Sequence, residues 1–277
     1  MKDLRASLGL VNFVAGRVVY GRAVLTWLWM AVQARSDEAL RPKARPAQCR
    51  KALAADRLHT RRLVKPLAWL DAFLSGKEGA IVRRLPLVPP PAPLRRITCD
   101  ASPWGIGAVL HIGGIAAEWI AEPLTPFNES LFGAEIGVSD YISVWEALAL
   151  LVALRTWGAQ GDGRVELRTD SSCAIASLAG LRTKSPPILR VALELNLDLA
   201  ESRYEVSEMF HIPGVTNVEA DALSRLFAPT ALDFPATLEG TPRAATADRS
   251  AAEFWRSSST RASSPRPRVG SFRARAR

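Results

Sequence analysis

The sequence has little cysteine and no long uninterrupted apolar run. Its three cysteines, Cys49, Cys99 and Cys173, have neither the spacing of a metal-binding motif nor that of a disulfide framework. We therefore expect free thiols in a reducing, intracellular compartment, either the cytoplasm or the nucleus. The longest apolar stretch, residues 23–32, is too short to cross a bilayer, so no membrane partner is expected.

The net charge of +9 is spread unevenly along the 277 residues. Residues 1–94 carry 17 basic and 6 acidic side chains, residues 95–227 carry 10 and 17, and residues 228–277 carry 9 and 4. Basic flanks suit a polyanion such as nucleic acid, and clustered carboxylates suit divalent cations. Charge runs are equally typical of an ordinary solvated surface, and both interpretations stay open for the C-terminal flank.

Composition divides the chain into four parts. Residues 1–84 contain apolar positions at helical spacing and predict a helical region. Residues 85–94 hold five prolines and predict a stiff, extended linker. Residues 95–227 alternate between strand and helix patterns, which predicts an α/β domain. Residues 228–277, rich in Ala, Thr, Pro, Ser and Arg, predict a disordered basic tail.

Within residues 95–227, three strands come first and are followed by a helix, a strand, two helices, a strand and a last helix. Gly113-Gly114 marks a hairpin between the second and third strands, and the later crossovers favour parallel pairing at the centre of the sheet. The predicted elements after the hairpin are a loop over 121–139, helices over 140–157, 171–181 and 187–202, strands over 164–170 and 204–212, and a final helix capped by Asn217.

Four acidic residues stand out by their context. Asp100 and Asp170 end predicted strands, Glu146 interrupts an apolar helix, and Asp221 lies one turn inside the last helix. Each has an ordinary explanation taken alone, as a turn opener, an N-cap, a helix edge or a favourable charge at a helix start. A shared cleft of four carboxylates would need Mg²⁺ or Mn²⁺, and two such ions about 3.5 to 4 Å apart can hydrolyse a phosphodiester.

The segment from His211 to Arg225 carries the most specific pattern. It reads His-Ile-Pro-Gly, then Asn217, then Ala-Asp-Ala-Leu-Ser-Arg, and it resembles the closing segment of the ribonuclease H domain in LTR or Gypsy-like retroelement reverse transcriptases. Asp100-Ala-Ser, followed by Gly-Ile-Gly, matches the same family. The resemblance implies a ribonuclease H-like fold with a five-stranded mixed sheet, two Mg²⁺ or Mn²⁺ ions, and cleavage of the RNA strand of RNA–DNA hybrids.

The same resemblance implies a role for each acidic residue. Asp100 would bridge both ions, Asp221 would help to hold the ion that activates water, and Glu146 and Asp170 would hold the other. His211 corresponds to a mobile histidine that assists proton transfer or product release. Residues 4–85 look like thumb and connection regions, and no paired Asp-Asp exists, so a polymerase domain would lie on another chain or be missing from this fragment.

Five residues are candidates for nucleic-acid contact because of their positions relative to the acids. They are Ser102, Ser171, Ser172, Arg182 and Lys184. Ser171 stands where many relatives have Asn, which is expected to weaken substrate contact. Two alternatives to an active ribonuclease H remain: an inactive, retroelement-derived module that only binds nucleic acid, and another nuclease or integrase of the same superfamily.

Overall fold

The computed structural model describes residues 64, 67, 93–160, 164–172, 174–175, 183, 185–200 and 204–256. Of the predicted helical region 1–84, Val64 and Leu67 are described, both in helical conformation. The rest of that region, residues 85–92 of the linker and residues 257–277 lie outside the described part. No helix in the described ranges is long and apolar enough to cross a membrane.

The described part of residues 95–227 forms one sheet of five strands with flanking helices. The strands are β1 (Arg95–Ala101), β2 (Gly105–Ile112), β3 (Ile115–Pro123), β4 (Arg164–Thr169) and β5 (Glu205–His211). The helices are α1 (Pro126–Phe132), α2 (Ile142–Trp157), α3 (Pro186–Ala200) and α4 (Val218–Arg225), with short 3₁₀ turns at Ser139–Tyr141, Gly214–Thr216, Ala236–Leu238 and Ala252–Phe254.

The strand order in the sheet is β3-β2-β1-β4-β5. The first three strands pair antiparallel, whereas β4 pairs parallel to both β1 and β5. Gly113 and Gly114 form the β2–β3 turn with φ of 61° and 88°, a conformation that side chains disfavour and that twisted hairpins require. The predicted hairpin, the parallel centre and the ribonuclease H-like fold are therefore confirmed.

Helix α2 fills the core on one face of the sheet. It is apolar on nearly every side, and Trp145, Leu148, Leu151 and Trp157 are fully buried. A helix that is hydrophobic all round must be enclosed, and α2 lies between the sheet and α3. Consequently the one acidic residue of this helix is placed close to the sheet.

Helix α4 packs on β1 and β2. A Cβ atom added to Gly107 would lie only 2.4 Å from the carbonyl oxygen of Ala220, so the close approach of this helix depends on glycine. The approach fixes the position of Asp221, the next residue after Ala220. The Gly-Ile-Gly sequence of β2 thus has a packing reason.

Residues 126–132, predicted as part of a loop, form helix α1 instead. Pro126 begins the helix, and the backbone N–H of Thr125 donates to Oδ1 of Asn128 at 3.1 Å. Proline in the first turn and a reciprocal cap are local helix signals, which the high Pro, Gly and acid content of the surrounding residues obscured.

Residues 228–256, predicted as the start of a disordered tail, instead run along the domain. The backbone N–H of Trp119 donates to the carbonyl oxygen of Pro242 at 3.1 Å, and the N–H of Ala244 donates to that of Trp119 at 2.8 Å, which makes a parallel bridge beside the edge strand β3. Leu238 is fully buried, and Phe254 and Trp255 join the main core. This corrects the expectation for residues 228–256, because three well-placed apolar side chains outweigh a polar composition.

Trp255 gives a test of this ordered segment. It is 3% exposed and stacks edge-to-face on Phe132, with 5.6 Å between ring centroids. We expect Trp255→Ala to lower the free energy of unfolding by about 3 to 5 kcal/mol, the usual cost of removing a buried aromatic ring. Urea denaturation should measure this loss. Leu232→Ala, in the same segment but at a residue that is 46% exposed, is the matched control. If both variants lost the same small amount of unfolding free energy, Trp255 would not be packed in the core.

Candidate active site

Asp100 lies near the end of β1 and is 6% exposed. Its Oδ2 accepts a hydrogen bond from the Ser224 hydroxyl at 2.8 Å, and its Oδ1 accepts one from the Asn217 amide at 3.3 Å. Burial raises the pKa of Asp100 to about 8, with the charges of Asp170 and Asp221 adding to the rise and the Ser224 hydrogen bond opposing it. Asp100 is therefore an acid that lies close to two others.

Asp170 follows the last residue of β4. Its Oδ1 accepts from the same Asn217 amide at 3.3 Å. A Cβ atom placed on Gly214 would lie 3.0 Å from Asp170 Oδ2, so the turn after β5 passes directly over this carboxylate. Asp170 is thus held between the end of β4 and the start of α4.

Glu146 lies in the first turns of α2 and is half-buried. Its Oε2 accepts a hydrogen bond from the Ser171 hydroxyl. Burial raises the pKa of Glu146, the Ser171 hydrogen bond lowers it, and the charge of Asp170 raises it again. Because Glu146 interrupts an apolar helix, the sequence predicted that it needs a cation or a hydrogen-bond partner. In the structure the Ser171 hydroxyl is such a partner.

Asp221 completes the set from α4, with its side chain 33% exposed. Its Oδ1 accepts from Nε of Arg225 at 2.6 Å, one helical turn later. The fold therefore brings the four acids to one end of the sheet, with Asp100 interacting with Asp170 and Asp221, and Glu146 interacting with Asp170.

The acids fit divalent cations by their chemistry. They are hard oxygen donors of like charge, and burial together with the charges of Asp170 and Asp221 raises the pKa of Asp100. Arg225 pairs with Asp221 of this group. Within the described ranges, the structure contains no set of three or more His, Cys, Asp or Glu side chains that could hold a metal ion as they stand. A bound divalent cation would supply positive charge that offsets the negative charges of Asp100 and the neighbouring acids.

Asn217 has a role at the site that the sequence did not reveal. It occupies the predicted N-cap position of α4, but its side chain makes no capping hydrogen bond. The amide nitrogen instead donates to Asp100 and Asp170. The position in the motif identified the residue, whereas its acceptors lie on strands that only the fold brings together.

Two of the serines proposed for nucleic-acid contact are used inside the domain. Ser102 is 2% exposed, donates to the carbonyl oxygen of Ser224 at 2.6 Å and accepts the N–H of Gly105 at 3.1 Å. Ser171 is 6% exposed and donates to Glu146. Both serines are buried and hydrogen-bonded inside the domain, and their contact with nucleic acid stays a prediction.

The remaining predicted site residues are less constrained. Ser172 is exposed. His211 is exposed at the end of β5, in register with Thr169, and so lies at the same end of the sheet as Asp170. Arg182 and Lys184 lie outside the described residues. Ser172 and His211 are thus accessible to a substrate at this edge.

A polar cleft of about 210 Å³ borders Asn217 on the face of the sheet that α4 covers in part. Arg96 and Arg168 line it and share one carboxylate oxygen of Glu166, at 2.9 and 2.5 Å. No motif in the sequence marks these two arginines. Their alternation with buried residues of β1 and β4 was the signal that could have placed them on the open face.

Comparisons with known proteins give one structural similarity. No protein-family model and no curated protein matches the chain. The chain is similar to the crystal structure of RNase H1 from the halophilic archaeon Halobacterium salinarum NRC-1, with 24% sequence identity and a TM-score of 0.39. That similarity covers 50% of this chain and 98% of the other.

The pKa of Asp100 predicts how stability depends on pH when divalent cations are chelated. Since the pKa is raised from 3.8 to about 8 in the folded protein, the folded state binds more protons than the unfolded state between these values. We expect the free energy of unfolding in EDTA to fall as pH rises through this window, by an amount on the order of a few kcal/mol.

Asp100→Asn should remove most of this fall, because the amide keeps an acceptor for Ser224 but carries no charge. Denaturant unfolding at several pH values measures the effect. Asp140→Asn, on an exposed residue before α2, is the control and should follow the wild-type profile. Identical profiles for Asp100→Asn and wild type would contradict the prediction.

Proposed function

We propose that this chain is a metal-dependent endonuclease that hydrolyses the RNA strand of RNA–DNA hybrids. The observation that carries the proposal is the convergence of carboxylates: the amide nitrogen of Asn217 lies 3.3 Å from Oδ1 of both Asp100 and Asp170, and the Ser224 hydroxyl lies 2.8 Å from Oδ2 of Asp100 and 2.9 Å from the carbonyl oxygen of Asp221. Glu146 joins the group through its interaction with Asp170. Such a cluster opposes folding unless it serves a cation, which supports a catalytic explanation.

The four acids would hold two Mg²⁺ or Mn²⁺ ions. Bound divalent ions of this kind activate water and stabilise the leaving oxygen of a phosphodiester. Ser224 and Asn217 orient Asp100, and Ser171 orients Glu146, through the hydrogen bonds already described. His211 is exposed at the same edge and would move a proton or help product to leave.

A nucleic-acid substrate suits the surface beside the acids. Arg96 and Arg168 line the cleft next to Asn217 and offer guanidinium groups to phosphates. Recognition of a hybrid would depend on its shape, its phosphates and the 2′-hydroxyls of the RNA strand, with little reading of base sequence.

A retroelement origin is part of the same proposal. It rests on the His211 to Arg225 motif, in which Asn217, Asp221, Ser224 and Arg225 all contact one another or the other acids. The chain would then derive from a retroelement reverse transcriptase, and the polymerase palm would lie outside these 277 residues.

Hybrid cleavage tests the proposal directly. The purified chain, incubated with Mg²⁺ and a hybrid labelled on its RNA strand, is expected to cut that strand, whereas EDTA should prevent cleavage. Asp170→Asn should lower the rate by more than about 100-fold, because changes outside the ligand set of a metal site already cost about 10- to 100-fold. Asp233→Asn, on an exposed residue of the C-terminal segment, is the matched control and should keep the wild-type rate.

Three results would contradict the proposal. They are an uncut hybrid, equal cleavage by Asp170→Asn, and equal cleavage of duplex DNA or single-stranded RNA. Hybrid binding without Mg²⁺-dependent turnover would support the inactive binding module instead. Cutting of duplex DNA would favour another nuclease of the superfamily.

A further inference from the structure

The side chain of Asn217 is buried but does not cap its own helix, α4. The residue is 1% exposed, and its amide nitrogen lies 3.3 Å from each of three oxygens, the carbonyl of Cys99, Oδ1 of Asp100 and Oδ1 of Asp170. Its own side-chain oxygen is buried and has no hydrogen-bond partner among the residues that the structure describes. The residue therefore leaves its own acceptor unsatisfied while its donor faces two acids.

The geometry fixes which end of the amide faces the acids. The carbonyl oxygen of Cys99 can only accept a hydrogen bond, and the two carboxylates accept when ionised, so the NH₂ end points toward all three. An amide has two hydrogens, and three acceptors at 3.3 Å, beyond the usual 2.9 to 3.0 Å, are consistent with shared hydrogen bonds. A donor placed between two carboxylates offsets part of their repulsion and gives their oxygens a common direction.

Asn217 is also tied to the third acid through the backbone. Its carbonyl oxygen accepts the N–H of Asp221 at 3.0 Å, the first hydrogen bond of α4. One residue therefore contacts Asp100 and Asp170 with its side chain and Asp221 with its main chain. A residue that only caps the helix would make neither of the side-chain contacts, to Asp100 or to Asp170.

We propose that Asn217 is a positioning residue that holds Asp100 and Asp170 toward a common point and thereby sets the affinity of the acid cluster for divalent cations. This inference rests on the proposed function, since it assumes that the acids bind cations. It gives the amide donor of Asn217 a task that neither helix capping nor substrate contact requires.

Titration calorimetry with Mg²⁺ and with Mn²⁺ tests the inference. Asn217→Ala should weaken cation binding by about tenfold or more, the loss typical of removing an outer partner of a metal site. Asn217→Ser keeps a donor on a shorter side chain and should give an intermediate cation affinity. This variant keeps the test possible if Asn217→Ala does not fold. In hybrid cleavage, both variants should need more Mg²⁺ for half-maximal rate and recover kcat when Mg²⁺ is saturating.

Asn128→Ala is the matched control for loss of a buried amide. Asn128 is fully buried in α1, away from the acids, so this variant should lower thermal stability and leave cation affinity unchanged. Equal affinities of wild type and both Asn217 variants would overturn the inference while the proposed function stands. A wild-type chain that binds Mg²⁺ but leaves the hybrid uncut would overturn the proposed function alone, and a wild-type chain that binds neither cation would overturn both.

Discussion

The parallel pairing of β1 with β4 is the constraint on which the site depends. Thr98 of β1 pairs with Arg168 of β4; Asp100 lies two residues after Thr98, and Asp170 lies two residues after Arg168, just past the end of β4. Because both strands run in the same direction, their acids reach the same end of the sheet. A shift of one residue in either strand would turn its acid to the opposite face, so the hydrophobic alternation that buries Ile97 and Leu167 also fixes the carboxylates.

Bringing these acids together is unfavourable, and the chain compensates with donors from different elements. Ser224 comes from α4, Asn217 from the turn before it, and Ser171 from the turn after β4. Two of the three belong to the closing motif, which therefore does more than supply Asp221. The close contact of α4 with Gly107 brings these donors to the end of β1. The packing of α4 against Gly107 is therefore what allows the donors of the closing motif to reach the carboxylates.

Local patterns predicted the strands, the hairpin at Gly113 and the four acids, because alternation and turn chemistry are properties of short segments. They did not predict the contacts of Asn217 with the acids. An N-cap rule considers only the helix that follows, whereas the acceptors, Asp100 and Asp170, lie 117 and 47 residues away in the chain. Composition likewise failed for residues 228–256, where sparse side chains such as Trp255 fill a core built by other segments. Helix α1 was different, because its signals at Thr125 and Asn128 were local and readable.

The C-terminal segment also bears on the position of Glu146. Helix α2 carries this acid in its first turns and Arg155 in its last, and Arg155 pairs with buried Glu194 and Asp198 of α3 at 2.9 and 2.7 Å. The same guanidinium donates to the carbonyl oxygen of Phe254, so the C-terminal segment is bound into this buried ion network. Breaking such a network leaves an uncompensated charge and is costly, so the network ties the far end of α2 to α3 and to the C-terminal segment. Glu146 is therefore held by Ser171 at one end of its helix and by contacts with the C-terminal segment at the other, and the acid cluster depends on residues beyond the ribonuclease H-like sheet.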